Sequence, residues 1–441
     1  MERKRQAIQT IPVGILGFGT VGTGVYRILT ENHEHIKHRE RLDVQVASIY
    51  VRDTAKAAQK GLAPRQCFVN DPQDIIGNPD IRIVCECMGG IEPARSLMIA
   101  ALEAGKSVVT ANKECVAKHW PDFEEAAKKT GAGFYIEATS AGGIPIIRTL
   151  LDATTGNDIE RMMGIVNGTC NYILTRMTLE GANFADVLAD AQRLGFAEAD
   201  PSADVDAWDS VYKLAILGSI AFHARVDYKQ IYREGIRAVS SEDIAIAKDL
   251  GYVIKLLAIG KKVGGRHGRL ELRVHPTMIP KDHPLASVNG AYNAVFLHGD
   301  AVDDIMLYGS GAGQMPTGSA MVGDLIYAAH ASEHTYMTFN NHYDAPQTLS
   351  MQNDWHSEYC LRLQVCDDTG VLEQIAHELA KSGVSIRSMM QRGEGSGAGN
   401  GQASIVIITH TAKELSMQSA VEAIGSLECV KDVKSVMRVE H

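Results

Sequence analysis

Short apolar runs alternate with amphipathic patterns over the first third of the chain. The runs predict strands, and the apolar positions that recur every three or four residues between them predict helices. The predicted strands are 11–16, 43–51, 81–87, 106–111 and 133–138. The predicted helices are 21–31, 53–60, 91–104 and 113–129. This series predicts an α/β fold with a doubly wound, mostly parallel sheet.

The pattern changes after residue 145. Residues 145–225 are predicted to be mainly helical, and a helical pattern at 316–331 could pack back on the first domain. Between them lie four predicted strands joined by short turns, which indicate an antiparallel sheet in an α+β domain: 252–263, 268–277, 292–298 and 302–309. We therefore predict a dinucleotide-binding domain at 1–145, with helix 312–335 packed against it, and a substrate and dimerisation domain at 146–335.

The C-terminal segment has its own pattern. A polar stretch at 336–357 is predicted to be a linker, and strand, helix, strand, strand, helix and strand follow within 358–441. That order is typical of the ferredoxin-like arrangement. The segment resembles the ACT ligand-sensing domain, and Asp367 to Leu372 match that family's loop into its first helix, with Thr369 where proline is common.

Composition limits the functions that the chain can have. Its 441 residues suffice for two or three domains, and the net charge of −10 argues against nucleic acid or an anionic membrane as the main partner. We find no apolar run of the roughly 18–20 residues that span a bilayer and no signal peptide. The 8 cysteines form no CxxC pair, which predicts reduced thiols in a cytoplasmic protein.

A glycine-rich turn follows the first strand and precedes the first helix. It carries a GxGxxG pattern: Gly17, Phe18, Gly19, Thr20, Val21 and Gly22. Gly17 permits a tight turn, Gly19 lets the backbone approach a pyrophosphate, and Gly22 lets the helix pack close to the strand. In this context the pattern predicts a dinucleotide site.

Three later segments carry candidate chemistry. Thr110-Ala111-Asn112-Lys113 ends a predicted strand, where open α/β sheets bind ligands, and Gly164 to Leu174 could shape a polar pocket. The third segment, 195–213, is acidic and places Asp209 and Lys213 at i,i+4. Taken alone, the first segment favours a capping Asn with a surface lysine, and the second fits a plain turn and N-cap equally well. The third fits a capped helix with a surface ion pair worth about 0.2–0.5 kcal/mol. The alternative is a pocket for a zwitterion, in which a lysine serves the reacting oxygen.

Together these segments resemble homoserine dehydrogenase over the whole chain. The landmarks are GFGTVG, TANK, GIVNGTCNYIL and the acidic segment that ends at Lys213, and Ala207 stands where the family usually has glycine. The resemblance implies NAD(P)-dependent interconversion of L-homoserine and L-aspartate 4-semialdehyde, in threonine, methionine and isoleucine biosynthesis. It fits the single-function form, with L-threonine as effector and a homodimer or homotetramer as assembly.

The resemblance also implies roles for individual residues. Lys213 would be the proton donor in the reducing direction, with Lys113 beside the nicotinamide and the substrate oxygen, although the division of labour between them stays open. Glu198 would bind substrate, and Asp204 and Asp209 would orient substrate or the lysines. Beside the glycine-rich turn and Lys113, the expected cofactor-binding residues are Arg52, Gly311 and Gly313.

Two ligands remain to be assigned. Arg52 at the end of the second strand favours the 2′-phosphate of NADP, while the neighbouring Asp53 keeps NAD possible. Residues 137–144 resemble the family's monovalent-cation loop, which implies Na⁺ held by Glu137 and main-chain oxygens of Ser140, Gly142 and Ile144. The alternative is a structural glycine turn without an ion.

Other functions compete with this interpretation. An acylating semialdehyde dehydrogenase would use Cys170 or Cys115 as nucleophile, but would need a histidine base nearby. A metallohydrolase is suggested only by an HxxEH pattern at 330–334. A nucleotide-bound amino-acid sensor would need only the dinucleotide-binding and ACT-like parts, and the acidic segment with Lys213 counts against it.

Overall fold

A computed structural model describes residues 7–265, 268–331, 350–393 and 401–441. The chain divides into two compact units. The first unit comprises Met1–Gly168, Asp209–Ile231 and Ala291–Leu349, and the second comprises Thr169–Trp208, Tyr232–Gly290 and Ser350–His441. The predicted substrate domain, 146–335, is therefore divided between the two units. The HxxEH pattern and the predicted linker 336–357 lie mostly outside the described residues.

The structure contains the predicted strands and helices together with elements that were not predicted. The strands are β1 (Gln9–Leu16), β2 (Leu42–Tyr50), β3 (Phe68–Val69), β4 (Ile83–Glu86), β5 (Ser107–Thr110), β6 (Phe134–Tyr135), β7 (Ile159–Ile165), β8 (Tyr232–Arg233), β9 (Tyr252–Val263), β10 (Arg269–Pro280), β11 (Tyr292–Gly299), β12 (Asp303–Ser310), β13 (His356–Cys366), β14 (Ile386–Gly393), β15 (Gln402–Thr409), β16 (Ala412–Lys413) and β17 (Val430–Val439). The helices are α1 (Thr20–Glu31), α2 (His33–Glu40), α3 (Thr54–Gln59), α4 (Gln73–Ile76), α5 (Ala94–Glu103), α6 (Lys113–Thr130), α7 (Ile146–Arg148), α8 (Gly168–Glu180), α9 (Phe184–Arg193), α10 (Ser202–Val205), α11 (Trp208–Ala221), α12 (Ser241–Asp249), α13 (Gln314–His330), α14 (Val371–Lys381) and α15 (Glu414–Gly425).

The predicted parallel sheet is confirmed in the first unit. Its strand order is β3-β2-β1-β4-β5-β6, and every pair is parallel. Because β2 and β4 flank β1 on opposite sides, the connections leave β1 and β4 in opposite directions. A crevice at the carboxyl ends of these two strands is where such sheets bind dinucleotides.

Helix α13 contributes to the core of this sheet although it lies far along the chain. Met321 and Leu325 are buried with Val25 of α1 and Val13 of β1. The two helices cross closely, since a Cβ added to Gly318 would lie 2.9 Å from the backbone carbon of Gly24. This packing brings the turn that precedes α13 to the same part of the first unit as α1.

Three further strands of the first unit include one that was not predicted. Strands β7, β11 and β12 pair antiparallel, although residues 145–225 are predicted to be mainly helical. The apolar residues at 159, 162, 163 and 165 of β7 are all buried, and their spacing matches neither the strand period nor the helix period. Burial of consecutive positions explains why periodicity did not reveal this strand.

The second unit contains a mixed sheet. Strand β10 pairs antiparallel with β9 and parallel with β17, where Thr277 faces Arg438. Strand β17 continues into an antiparallel order β17-β13-β15-β14, with α14 and α15 packed against it over Leu361 and Ile405. The four predicted middle strands thus form two hairpins, β9–β10 here and β11–β12 in the first unit. Among the described residues, every helix is too short or too polar to cross a membrane.

Candidate active site

The glycine-rich turn connects β1 to α1 in the first unit. Gly17 has φ +99°, and its N–H donates to Tyr50 O over 3.0 Å. A Cβ on Gly22 would lie 2.2 Å from Gly17 O, whereas a Cβ on Gly19 would meet no atom within 4 Å. The turn therefore packs tightly at Gly22 and leaves open space at Gly19, beside the N-terminus of α1, where backbone N–H groups favour an anion.

Other residues predicted to bind cofactor have different surroundings. The Phe18 ring is buried edge-on against Phe68, with ring centroids 5.3 Å apart, so Phe18 contributes only its backbone to the surface of the turn. Thr20 and Arg52 are exposed, and Val21 is half-buried. Gly311 packs on the side chain of Asn293, which a Cβ would approach to 2.1 Å, and Gly313 precedes α13 with φ +128°.

A buried ion pair lies on α11. Lys213 donates from Nζ to Asp209 Oδ2 over 2.7 Å and to Val166 O over 2.7 Å. Both charged side chains are buried, with Lys213 7% and Asp209 6% exposed. The i,i+4 spacing predicted this pairing but not its burial. The pair is buried because α11 carries apolar residues on most sides.

Asp209 also binds Lys113 and Asn167. Lys113 Nζ lies 3.0 Å from Oδ1 of Asp209, and Asn167 Nδ2 donates to Oδ2 over 2.8 Å. Burial would raise the pKa of Asp209, but the charges of Lys213 and Lys113 outweigh it and hold that pKa far below its usual value. One carboxylate therefore stays ionised between two ammonium groups, and the first unit brings together three of the predicted residues.

A second buried carboxylate, that of Glu86, supports the position of Lys113, and no role was predicted for it from the sequence. Glu86 ends β4, accepts from Met88 N–H over 2.7 Å and from Gly89 N–H over 3.2 Å, and receives the Thr110 hydroxyl over 2.6 Å. Burial raises the pKa of this carboxyl. Glu86 thereby fixes the ends of β4 and β5 to each other.

Asn112 completes this arrangement at the start of α6. Its backbone N–H donates to Thr110 Oγ1 over 3.0 Å, and its side chain donates to Gly90 O over 2.6 Å. Its Oδ1 caps α6 by accepting from Cys115 N–H over 3.2 Å. Because Lys113 is the first residue of α6, these bonds set the direction in which its side chain leaves the backbone.

The predicted substrate-binding residues Glu198 and Asp204 belong to the second unit. Glu198 is exposed and Asp204 is half-buried. Gln192 donates to Glu198 O over 3.0 Å, and Thr169 Oγ1 donates to Phe196 O over 2.7 Å. The loop that carries Glu198 is thus held through its backbone, which leaves its carboxylate at the surface of this unit.

Two buried carboxylates meet at the predicted cation loop. Both oxygens of Glu137 accept backbone N–H groups, of Ile147 over 2.8 Å and of Arg148 over 2.7 Å. Asp324 of α13 accepts from Glu137 N–H and pairs with the Arg148 guanidinium at 2.8 Å. Burial, and then the charge of Asp324, raises the pKa of Glu137 to about 8. Two acids facing one arginine leave a net negative charge if both ionise.

The rest of the loop has the backbone geometry of a tight turn. Ala141 and Gly142 have φ +56° and +58°, and a Cβ on Gly142 would lie 2.4 Å from Gly311 O. Ser140 and Ile144 are buried, and Ile144 O already accepts from Ile146 N–H over 2.8 Å. Glu137 and this turn are thus the residues that would hold a monovalent cation, although both carboxyl oxygens and Ile144 O already accept backbone N–H groups.

Comparison with known proteins matches the whole chain to one family. The family model described as homoserine dehydrogenase matches residues 145–326, and the model for the NAD binding domain of homoserine dehydrogenase matches 17–137. A homoserine dehydrogenase from Synechocystis is 43% identical over 98% of this chain and 99% of its own. The chain belongs to the homoserine dehydrogenase family. It is therefore an oxidoreductase that acts on CH–OH groups, those of a small-molecule substrate.

Solved structures of homoserine dehydrogenases share this fold. The crystal structure from Thiobacillus denitrificans superposes with a TM-score of 0.90 at 40% identity, covering 99% of each chain. A hyperthermophilic archaeal homoserine dehydrogenase in complex with NADPH superposes with a TM-score of 0.63 at 27% identity, covering 74% of this chain and 100% of its own.

The cysteines of this homoserine dehydrogenase do not resemble the nucleophile of an acylating enzyme. The Cys170 thiol is buried and donates to Asp204 O at 3.3 Å. Burial raises the pKa of Cys115 to about 12, which disfavours the thiolate that a nucleophile requires. Among the described residues, no group of three or more His, Cys, Asp and Glu side chains could hold a metal.

Sequence reasoning missed three functional candidates in this homoserine dehydrogenase. Asn167 lies in the quoted GIVNGTCN segment, but nothing in the sequence names Asp209 as its partner. Glu86 lies between two cysteines on a buried strand. A lone acid in an apolar strand was the available signal, because acids are rarely buried without a partner. Asp324 interrupts the apolar face of α13 in the same way, although its partners are far away in sequence.

Proposed function

We propose that Lys213 is the proton donor when this homoserine dehydrogenase reduces L-aspartate 4-semialdehyde to L-homoserine, and the proton acceptor in the reverse direction. The bridge from Asp209 to Lys213 and Lys113 carries this proposal. Bound NADPH supplies the hydride to the terminal carbon of the semialdehyde. Asp209 and Val166 O orient the Lys213 ammonium, and the Asp209 charge stabilises the protonated form from which the proton is given.

Lys113 has a distinct role in this proposal. It is 42% exposed, whereas Lys213 is buried, so its ammonium is the more accessible of the two to a substrate. We assign Lys113 to the substrate oxygen on the nicotinamide side, since it starts α6 at the carboxyl end of β5. There its charge would stabilise the negative charge that develops on that oxygen during hydride transfer.

Glu198 and Asp204 are proposed to bind the α-ammonium group of the amino-acid substrate. The exposed carboxylate of Glu198 and the fixed backbone of its loop support this role. An ammonium ion between carboxylates forms charge-assisted hydrogen bonds, which are stronger than neutral ones. This pocket would select an amino-acid aldehyde over a simple aldehyde.

NADP is the proposed cofactor. Arg52 follows β2 and is exposed, so it can pair with a 2′-phosphate. One oxygen of the neighbouring Asp53 already accepts from Lys56 N–H over 2.9 Å as the cap of α3, which weakens its claim on a ribose 2′-hydroxyl. The NADPH complex of the archaeal relative is consistent with this choice.

A monovalent cation, such as Na⁺, is proposed at Glu137 with main-chain oxygens of Ser140, Gly142 and Ile144. All-oxygen ligands suit a hard cation, and the excess negative charge of Glu137 and Asp324 would be balanced by it. The cation would keep the loop 137–144 in place beside the turn at Gly311. We give it no part in the chemistry.

The C-terminal segment is proposed to be an ACT domain that senses L-threonine. The order of strands and helices from β13 to β17 supports this, as does the loop that ends at Gly370 with φ +84°. The proposed assembly is a homodimer or homotetramer. Tyr292 and Tyr308 stack at 5.1 Å on the hairpin β11–β12 and are 46% and 54% exposed, a surface that a second copy could cover.

A single set of assays tests the cofactor and sensor assignments. The purified enzyme should reduce NADP in the presence of L-homoserine, with kcat/KM for NADP above that for NAD, and Arg52→Ala should remove the difference. Arg65→Ala, at another exposed arginine of the same unit, is the matched control. A preference for NAD in the parent enzyme would overturn the NADP assignment, and unchanged activity across a threonine titration would overturn the sensor assignment.

A further inference from the structure

We propose that Arg438, in the C-terminal strand β17, is a positioning residue for the acidic turn 202–207, on which it acts through the segment 232–237. The proposal rests on the proposed role of this turn, which carries Asp204, in binding the amino-acid substrate. All the contacts involved lie within the second unit. They form two layers, one on each side of the segment 232–237.

The first layer fixes the segment to strand β17. Arg438 is buried and pairs with Glu234 through Nη1, while its Nη2 donates to the Tyr232 hydroxyl over 2.8 Å. Its guanidinium also binds Glu414 of α15. Arg438 therefore joins a helix of the C-terminal segment to both Tyr232 and Glu234.

The backbone of the segment is fixed at the same point. Tyr232 and Arg233 form β8, which pairs with β10 at Arg273 and Val274. Glu234 N–H donates to Val274 O over 2.8 Å. The end of the segment nearest Arg438 is thus held by side-chain and main-chain bonds together.

The second layer fixes the other side of the segment to the acidic turn. Ile236 N–H donates to Val205 O over 2.9 Å, and Arg237 Nε donates to Asp206 Oδ1 over 2.6 Å. The Arg233 guanidinium donates to Asp206 O. The turn therefore receives both backbone and charged contacts from the segment, at Val205 and Asp206, the two residues that directly follow Asp204.

The backbone of the segment packs closely against the backbone of the turn. A Cβ added to Gly235 would lie 2.3 Å from Val205 O, so the two backbones are in direct contact. The segment has only six residues, with Glu234 bonded on one side and Ile236 bonded on the other. A displacement at Arg438 would consequently move the turn, because packed backbones shift together rather than deform.

The decisive experiment compares Glu234→Gln and Arg438→Gln with Arg387→Gln. Arg387 also forms an ion pair within the C-terminal segment, at 2.6 Å from Glu358, but it lies on β14, at the opposite end of the strand order β17-β13-β15-β14 from Arg438. We expect both test variants to raise KM for L-homoserine by about fivefold or more, with kcat and KM for NADP within about twofold of the parent. Arg387→Gln should change none of them, and Arg438→Lys should restore much of the affinity.

A second measurement covers the case in which Arg438→Gln does not fold. Glu234 is 37% and Arg237 47% exposed at the side chain, and they act on opposite sides of the segment. If both residues position the same turn, the fold increase in KM of the double variant, Glu234→Gln with Arg237→Gln, should differ from the product of the fold increases of the two single variants. Unchanged KM in both single variants, or strictly multiplicative effects, would overturn the proposal. Absence of homoserine oxidation by the parent enzyme would instead overturn the proposed function.

Discussion

Lys213 binds Asp209 one helical turn earlier on α11, Nζ to Oδ2 at 2.7 Å, with both side chains buried. A pair at this spacing on a helix surface contributes only about 0.2–0.5 kcal/mol. In the interior each charge depends on the other, because a buried charge without its partner would lower the stability of the folded state. An enzyme that keeps such a pair gains a lysine of fixed direction rather than extra stability.

Asp209→Asn should therefore damage both activity and folding. The variant removes the charge that both lysines share, and we expect kcat to fall by about 10²-fold or more. Loss of one partner of a buried pair should lower the free energy of unfolding by about 3–5 kcal/mol. Steady-state kinetics and urea unfolding would measure these effects. Glu125→Gln, which breaks an exposed i,i+4 pair with Lys129 on α6, is the control and should change neither much.

Substitution of the two lysines should separate their roles. Lys213→Met should lower kcat by about 10²–10⁴-fold, because the proposed proton donor is lost. Lys113→Met should also lower kcat, with a smaller loss of stability, since Lys113 is 42% exposed. Lys129→Met, at an exposed lysine in the last turn of α6, is the control and should stay close to the parent. If Lys213→Met retained more than about a tenth of the parent kcat, a proton-donor role for Lys213 would be wrong.

The pKa of Glu137 predicts a pH-dependent effect of Na⁺ on stability. Burial and Asp324 raise this pKa from 4.5 to about 8, so the folded state favours the protonated acid. Without a cation, the stability from this group is complete below pH 4.5 and is lost as the pH rises through 8. Bound Na⁺ would favour the ionised form, so it should raise the melting temperature at pH 8 and have little effect at pH 5.

The control for this measurement is Glu137→Gln in the same two buffers. The variant should lose the Na⁺ effect at pH 8, and tetramethylammonium at the same ionic strength should not replace Na⁺ in the parent. Equal Na⁺ effects at pH 5 and pH 8, or an effect that survives in Glu137→Gln, would contradict a cation site at this carboxylate.

The sequence predicted most elements of the parallel sheet, because its strands are short apolar runs and its helices repeat apolar positions every three or four residues. Strand β3 was missed because it has only two residues, and β7 was missed because buried positions along it are consecutive. The pairing of β10 with β17 joins residues 277 and 438, a separation at which local pattern carries no information. Local periodicity thus identifies elements, while long-range pairing requires the three-dimensional structure.

The candidate site was predictable to the same degree. Lys113, Lys213 and Asp209 were selected by motif and spacing, and the structure brings them together. Their partner Asn167 and the supporting acid Glu86 were not selected, because their contacts depend on which strand ends meet at the edge of the sheet. The burial of α11 had a signal in the sequence, since a helix that is apolar on all sides lies inside a protein.

Ala207 offers a test of the departure from the family's usual glycine. It has φ +64°, is fully buried, and precedes α11, where its N–H donates to Asp204 O over 2.8 Å. A residue with a Cβ pays roughly 1–2 kcal/mol in this conformation, which glycine adopts without strain. Part of that gain is offset because glycine loses more backbone freedom on folding.

Ala207→Gly should consequently raise the free energy of unfolding, by about 1 kcal/mol, and leave kcat close to the parent. Urea unfolding at fixed protein concentration would measure the change. Ala203→Gly, in the short helix α10 of the same turn, is the matched control and should be destabilising by about 0.5–1 kcal/mol, because its backbone is helical. Equal destabilisation by both substitutions would show that the positive φ at Ala207 carries no strain.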